Sequence, residues 1–146
     1  MRPIEILLVE DNPGDILLTQ KAFERARILN QLSVVRDGES ALDYLHQRSP
    51  YEDAARPELI LLDINLPKVN GQEVLREIKS HPTLRRIPVI MLTSSERERD
   101  IANSYDAHAN SYITKPPKLD QLAAAMERID QYWFALVRRA KAEDEV

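Results

Sequence analysis

Five short apolar runs divide the chain: ILLV at 6–9, LSVV at 32–35, LILL at 59–62, VIML at 89–92 and the weaker SYIT at 111–114. Runs of this length without polar alternation suit strands covered on both faces, as in a parallel sheet. Between them, apolar positions recur at helical spacing. The first such segment starts at Asn12-Pro13-Gly14-Asp15. Asn12 can cap it, Pro13 fits the first helical position, and Asp15 favours the positive helix end. Leu17, Leu18, Ala22 and Phe23 carry the pattern to about Ala26. A second segment holds Ala41, Leu42 and Leu45, and a third follows Asn70-Gly71 with Val74, Leu75 and Ile78. A fourth opens on Ser95-Glu96-Arg97-Glu98, a capping-box pattern, and reaches about Tyr105. Strand and helix thus alternate five times, which predicts an α/β sandwich with helices on both faces of a sheet. The polar segment SPYEDAARPE (49–58), with two prolines, reads as an extended loop before the third strand.

Composition narrows the function classes. The length of 146 residues suits one domain with a tail, and 43% hydrophobic residues is ordinary for a soluble globular chain. A formal charge of -4 gives nonspecific nucleic-acid binding no support. The absence of cysteine excludes disulfides, thiolate metal sites and cysteine nucleophiles. MRPIEILLVED is not a signal peptide, and no apolar stretch approaches the roughly 18 residues of a membrane span. The expectation is a soluble, cytoplasmic protein with no membrane or nucleic-acid partner.

In parallel α/β folds ligands sit at the carboxyl ends of the strands, so the residues just after each run matter most. Glu10 and Asp11 follow the first run, Asp63 the third, Thr93, Ser94 and Ser95 the fourth, and Lys115 the fifth. Taken singly, each has an ordinary explanation as a turn residue, a polar strand stop or a surface charge. Together they place three carboxylates, a hydroxyl and one ammonium on one sheet edge. Three converging carboxylates repel one another, and one lysine does not neutralise them. A hard divalent cation with oxygen ligands would, which points to Mg²⁺.

ILLVEDNPGD, LILLDINLPKVNG, VIMLTSS and SYITKPP resemble, in order and spacing, the motifs of the receiver domain of two-component response regulators. The resemblance covers roughly residues 4 to 130. It implies the flavodoxin-like (βα)5 fold, a five-stranded parallel sheet in order 2-1-3-4-5. It also implies that Asp63 accepts a phosphoryl group from a histidine kinase, and that Glu10, Asp11, Asp63 and the backbone carbonyl of Asn65 hold Mg²⁺. By the same resemblance Lys115 pairs with the phosphoryl group, Thr93 hydrogen-bonds it, and Tyr112 is the switch aromatic. Lys115-Pro116 matches a bond that is typically cis in the family. Departures are His108-Ala109 where many receivers carry glycine-alanine, and Asn110-Ser111 where an acidic residue is common. Asn65 and Ser95 stand at positions that tune acyl-phosphate hydrolysis in the family.

Leu119, Leu122, Met126, Ile129, Trp133, Leu136 and Ala140 form one helical stripe. Helical to Lys141, it would run about 34 Å at about 1.5 Å per residue, longer than a receiver requires. Residues 1–130 therefore read as the receiver and 131–146 as an extension of the last helix, with no separate output domain. Tyr132, Trp133 and Phe134 spread aromatic surface around that helix, which suits homodimerisation. The long loop and extended final helix resemble regulators paired with bacterial and cyanobacterial phytochrome kinases. Two rival functions are a contact-only scaffold and an aspartyl-phosphate phosphatase of the haloacid-dehalogenase type. The phosphatase would need an aspartate where Asn65 stands, and a scaffold has no use for three converging carboxylates. Only three glycines occur, with no phosphate-cradling glycine loop.

Overall fold

In the computed structural model, which describes residues 3–105, 109, 111–115, 117–118 and 120–124, every apolar run becomes a strand. The elements are β1 (Ile4–Val9), α1 (Pro13–Ala26), β2 (Asn30–Val35), α2 (Gly38–Leu45), β3 (Leu59–Asp63), α3 (Gly71–Ser80), β4 (Val89–Thr93), α4 (Glu96–Tyr105) and β5 (Ser111–Thr114). A short 3-10 turn, Leu84–Arg86, precedes β4. All strand pairs are parallel, in the order β2-β1-β3-β4-β5. This is the flavodoxin-like arrangement that the sequence resemblance implies. Residues 120–124 are helical.

Alternation along each strand splits the core into two layers. Leu7, Val9, Ile60, Leu62, Val89 and Met91 pack with α2, α3 and Ala102 of α4 on one face. Ile6, Leu8, Leu59, Leu61, Ile90 and Leu92 pack with Ile16, Ala22 and Phe23 of α1 and with Leu122 on the other. β3 and β4 are buried throughout and β1 at every position but Glu5, consistent with continuous apolar runs. β2 departs from that reading: at the sheet edge it is mostly half-exposed, and only Val35 is buried.

Local signals set the helix starts. The Asn12 side chain accepts from Asp15 N–H at 3.0 Å, with Pro13 in the first turn. Asp37 caps α2 at 2.7 Å through Ser40 N–H, and Asn70 caps α3 at 3.0 Å through Glu73 N–H. The 49–58 segment is a loop without helix or strand, as expected. Its first half is closed by Tyr51 N–H to Arg48 and Ala54 N–H to Tyr51, and the Tyr51 ring centre lies 5.4 Å from that of Tyr44.

The domain boundary at residue 130, the tail 131–146, and Tyr132, Trp133 and Phe134 lie outside the described residues, as do His108, Asn110 and Pro116. Among the described residues no helix is long and apolar enough to cross a membrane.

Candidate functional site

β1, β3 and β5 each hand their next residue to a neighbouring strand by one further backbone bond. Glu10 N–H reaches Val35 at 3.0 Å, Ile64 N–H reaches Leu92 at 3.0 Å, and Lys115 N–H reaches Thr93 at 2.7 Å. The strand-end residues are therefore pinned by backbone, not left to loop motion. Val9 pairs with Leu62, which sets Glu10 beside Asp63 one step on. Both carboxylates are buried, Glu10 with 0% and Asp63 with 1% of its surface exposed, while Asp11 is exposed.

Gly71 makes the position of Asp63 possible. A Cβ there would run into the Asp63 carbonyl oxygen and Ile64 Cα, because Gly71 N–H closes the turn onto Ile64 at 3.1 Å. α3 starts so close to the end of β3 that only a residue without a side chain fits.

Lys115 is the cation at the centre. Its Nζ lies 3.0 Å from Asp63 Oδ2, 3.1 Å from Glu10 Oε1 and 3.1 Å from Asp15 Oδ2. Burial disfavours its charge, but the hydrogen bond and charge of Asp63, the charge of Glu10 and the hydrogen bond to Asp15 outweigh this and hold its pKa above the usual range. Glu10 moves the opposite way. Burial, then the hydrogen bond and charge of Asp63, push its carboxyl up to about 7, against the opposing pull of Asn12 N–H and Lys115.

Such a carboxylate pair still lacks positive charge. Glu10, Asp11 and Asp63 each offer one oxygen, and these atoms lie within 4.8 Å of one another. Oxygens opposite each other on an octahedral Mg²⁺ stand about 4.2 Å apart, so the set fits this ion with small side-chain adjustment. Bound there, Mg²⁺ would supply the neutralising charge that Lys115 alone does not.

The mouth is framed by Asn65 and the turn after β4. Asn65 N–H donates to Asp63 Oδ1 at 3.0 Å. Its side-chain amide donates to Ser94 Oγ at 3.1 Å and to both Glu98 oxygens at 3.0 and 3.2 Å. Thr93 is fully buried, and its hydroxyl proton is shared between the carbonyls of Ile113 at 3.2 Å and Ser95 at 3.3 Å. Tyr112 is 8% exposed and packs into the layer that contains Met91 and Ala102. Its ring is thus in the inward position.

Of the residues singled out from sequence, Glu10, Asp11, Asp63 and Lys115 converge, and Asn65 rims them. Thr93 stands at the adjacent strand end with its hydroxyl engaged towards β5. Two neighbours were not singled out for the site. Asp15 reads locally as a helix-dipole residue, yet it completes the carboxylate set around Lys115. Glu98 reads locally as a capping residue, yet it reaches across to Asn65.

Comparison with known proteins agrees with this geometry. Residues 6–127 match the response regulator receiver domain. The chain is 45% identical over 135 residues to response regulator Rcp1 of Synechocystis sp., covering 92% of each chain. The crystal structure of the Mn²⁺-bound form of Rcp1 superposes with a TM-score of 0.73, over 90% of this chain and 95% of that one. The bacteriophytochrome response regulator RtBRR superposes with a TM-score of 0.82 at 45% identity, over 88% of this chain and 78% of that one. The phosphorylated cyanobacterial phytochrome response regulator RcpA gives 0.74 at 49% identity, over 92% and 96%. This chain belongs to the response regulator receiver domain family.

Proposed function

We propose that Asp63 is the phosphoacceptor of a Mg²⁺-dependent signalling switch. Glu10, Asp11, Asp63 and the Asn65 carbonyl hold the ion, and Lys115 neutralises the incoming phosphoryl oxygens. The single observation that carries this reading is the convergence of Lys115 Nζ on Asp63 at 3.0 Å and Glu10 at 3.1 Å, beside an oxygen set spaced for a divalent ion. Phosphoryl transfer depends on in-line positioning and on neutralising the equatorial oxygens, and the cation and oxygen set beside Asp63 support the second. A carboxylate oxygen of Asp63 forms the new P–O bond. The N–P bond of a phosphohistidine breaks, and its electron pair returns to the imidazole, which leaves neutral with its other ring proton.

After transfer, the Thr93 hydroxyl moves from the Ile113 carbonyl to a phosphoryl oxygen, and Tyr112, already buried, repacks against the displaced turn. The donor is a histidine kinase of the phytochrome type, a reading supported by the likeness to Rcp1, RtBRR and RcpA. The protein works in the cytoplasm as a phosphoacceptor with slow self-dephosphorylation. Residues 1–130 form the receiver, and the 131–146 segment, with Tyr132, Trp133 and Phe134, pairs two copies. The phosphatase alternative is disfavoured because Asn65 offers an amide committed to Glu98, not an acid able to pass a proton.

Incubation with Mg²⁺ and acetyl phosphate, read by intact mass, tests the acceptor. One labile phosphoryl addition is expected, abolished by Asp63→Asn. An unmodified parent chain overturns the reading. Sedimentation of the parent chain and of Trp133→Ala tests the dimer, and a monomeric parent overturns it.

A further inference from the structure

The turn between β4 and α4 contains more hydrogen bonding than a helix cap needs. Ser95 caps α4, with its hydroxyl accepting from Glu98 N–H at 3.1 Å, and the Glu98 carboxylate returns to Ser94 N–H at 2.7 Å. That much is a capping box displaced by one residue, and it explains the sequence pattern. It does not explain the second half of the arrangement. Both Glu98 oxygens also accept from the side-chain amide of Asn65, 33 residues away on the loop after β3. The same Asn65 donates its backbone N–H to Asp63 Oδ1 at 3.0 Å. One residue therefore links the Glu98 carboxylate to the carboxylate of Asp63, and two donors beside the site are committed to an anion the chain itself provides.

We propose that Glu98 is a positioning residue, an internal anion that occupies the Ser94 N–H and the Asn65 amide and gives them up when Asp63 carries a phosphoryl group. This rests on the phosphoacceptor reading above and specifies how the site is regulated. A phosphoryl group on Asp63 replaces the single carboxylate charge by a group carrying close to two, a net gain of about one negative charge on the Glu98 side of the site, and brings strong acceptor oxygens that compete for the same donors. Repulsion moves the Glu98 carboxylate outward, and Glu98 lies in the first turn of α4. Glu98 also borders, with Ile64, Gln72, Arg97 and Ile101, a surface cavity between the α3 start and α4. Release of Glu98 therefore changes that surface as well as the helix start. Before phosphorylation the same charge disfavours entry of an anionic donor, so the bridge slows the reaction it later reports.

The test compares the parent chain with Glu98→Gln, which keeps an oxygen for Ser94 N–H, and so the cap, but loses the charge. With acetyl phosphate and saturating Mg²⁺, the variant is expected to gain its phosphoryl group about three to ten times faster, as removal of one like charge at a cleft predicts. The gain should shrink as salt is raised. In the parent chain the Asn65 side-chain amide signals should shift on phosphorylation by NMR, and far less so in Glu98→Gln. A double-mutant cycle with Asn65→Ala should be non-additive in rate. Equal rates in parent and variant, with unmoved Asn65 signals, overturn the proposal and leave the acceptor reading intact. A parent chain that takes no phosphoryl group overturns both.

Discussion

Lys115 Nζ and Asp63 Oδ2 lie 3.0 Å apart, although 52 residues separate them in the chain. The pairing exists because β3 and β5 flank β4 in one parallel sheet and end on the same edge. Lys115 binds three carboxylates from three elements: the end of β1, the first turn of α1 and the end of β3. Among the described residues it is the one cation paired with both Glu10 and Asp63. On the proposed function, a bound divalent ion would draw on two of the carboxylates that Lys115 pairs with, while adding to the positive charge beside Asp63.

Removing that cation should separate the two effects. Lys115→Ala leaves buried carboxylates facing one another, and the metal-free protein should lose about 3 kcal/mol, the lower end for breaking a buried ion pair. Mg²⁺ should recover a larger share of stability in the variant than in the parent, since no ammonium competes for Glu10 and Asp63. Phosphorylation should nevertheless fall by about a hundredfold, the scale of losing one preorganised charge in a reaction site. Urea titrations with and without Mg²⁺, beside phosphorylation rates, check all three. A variant that phosphorylates at the parent rate would remove Lys115 from the mechanism.

The metal-free protein should also respond to pH through Glu10. Its carboxyl is raised from 4.5 to about 7 by burial and by Asp63. The folded chain thus holds this proton more tightly than the unfolded chain does, so the group's effect on stability is most favourable below about 4.5. It declines as pH rises towards 7 and is constant above. Lys115 is held above its ordinary 10.5, so its favourable contribution is complete below that value and lost only at higher pH. Melting temperatures of the parent and Glu10→Gln between pH 5 and 8, in chelator, should differ in slope, with the variant flatter. Parallel slopes would show that Glu10 does not titrate in that window.

Thr93 and Tyr112 offer a test of switching independent of acceptance. Thr93→Ala leaves the Ile113 and Ser95 carbonyls without a shared hydroxyl partner and should cost about 1 kcal/mol, the usual scale for one hydrogen bond. Asp63 should still accept a phosphoryl group. The ring signals of Tyr112 should then fail to shift on phosphorylation, whereas they shift in the parent. Persisting shifts in the variant would place the coupling elsewhere.

Much of this fold can be read from its apolar runs because the central strands are buried on both faces and carry no polar alternation to mislead. The gathering of Glu10, Asp11, Asp63 and Lys115 follows from the rule that parallel strands end on one edge. β2 is harder, since LSVV looks like a central strand and only the pairing order puts it at the edge. The turn at Leu84–Arg86 has one buried apolar residue, Leu84, too little to set a period. Asp15 and Glu98 are obscured for a different reason. Each has a sufficient local explanation, helix dipole in one case and cap in the other, while the partners that matter lie 100 and 33 residues away. A sequence pattern satisfied locally gives no sign of a second, distant bond.

Gly71 should prove the most sensitive position outside the charged cluster. Adding one methyl group there drives a Cβ into the Asp63 carbonyl and Ile64 Cα, both backbone atoms that cannot rotate away. The start of α3 must shift, and Gly71→Ala should destabilise the fold by about 1–3 kcal/mol, the range for overpacking a close contact. Because Gly71 N–H is also the donor that closes the turn onto Ile64, the displacement passes directly to the backbone carrying Asp63 and Asn65. Mg²⁺ affinity should therefore fall by about tenfold even at temperatures where the variant is fully folded, a modest loss of aim among ligands that must stay within a fraction of an ångström. Calorimetric Mg²⁺ titration of the folded variant, beside its melting curve, measures both effects. Lost stability with unchanged Mg²⁺ affinity would mean that the end of β3 is held by the sheet alone and that the α3 start does not position the acidic site.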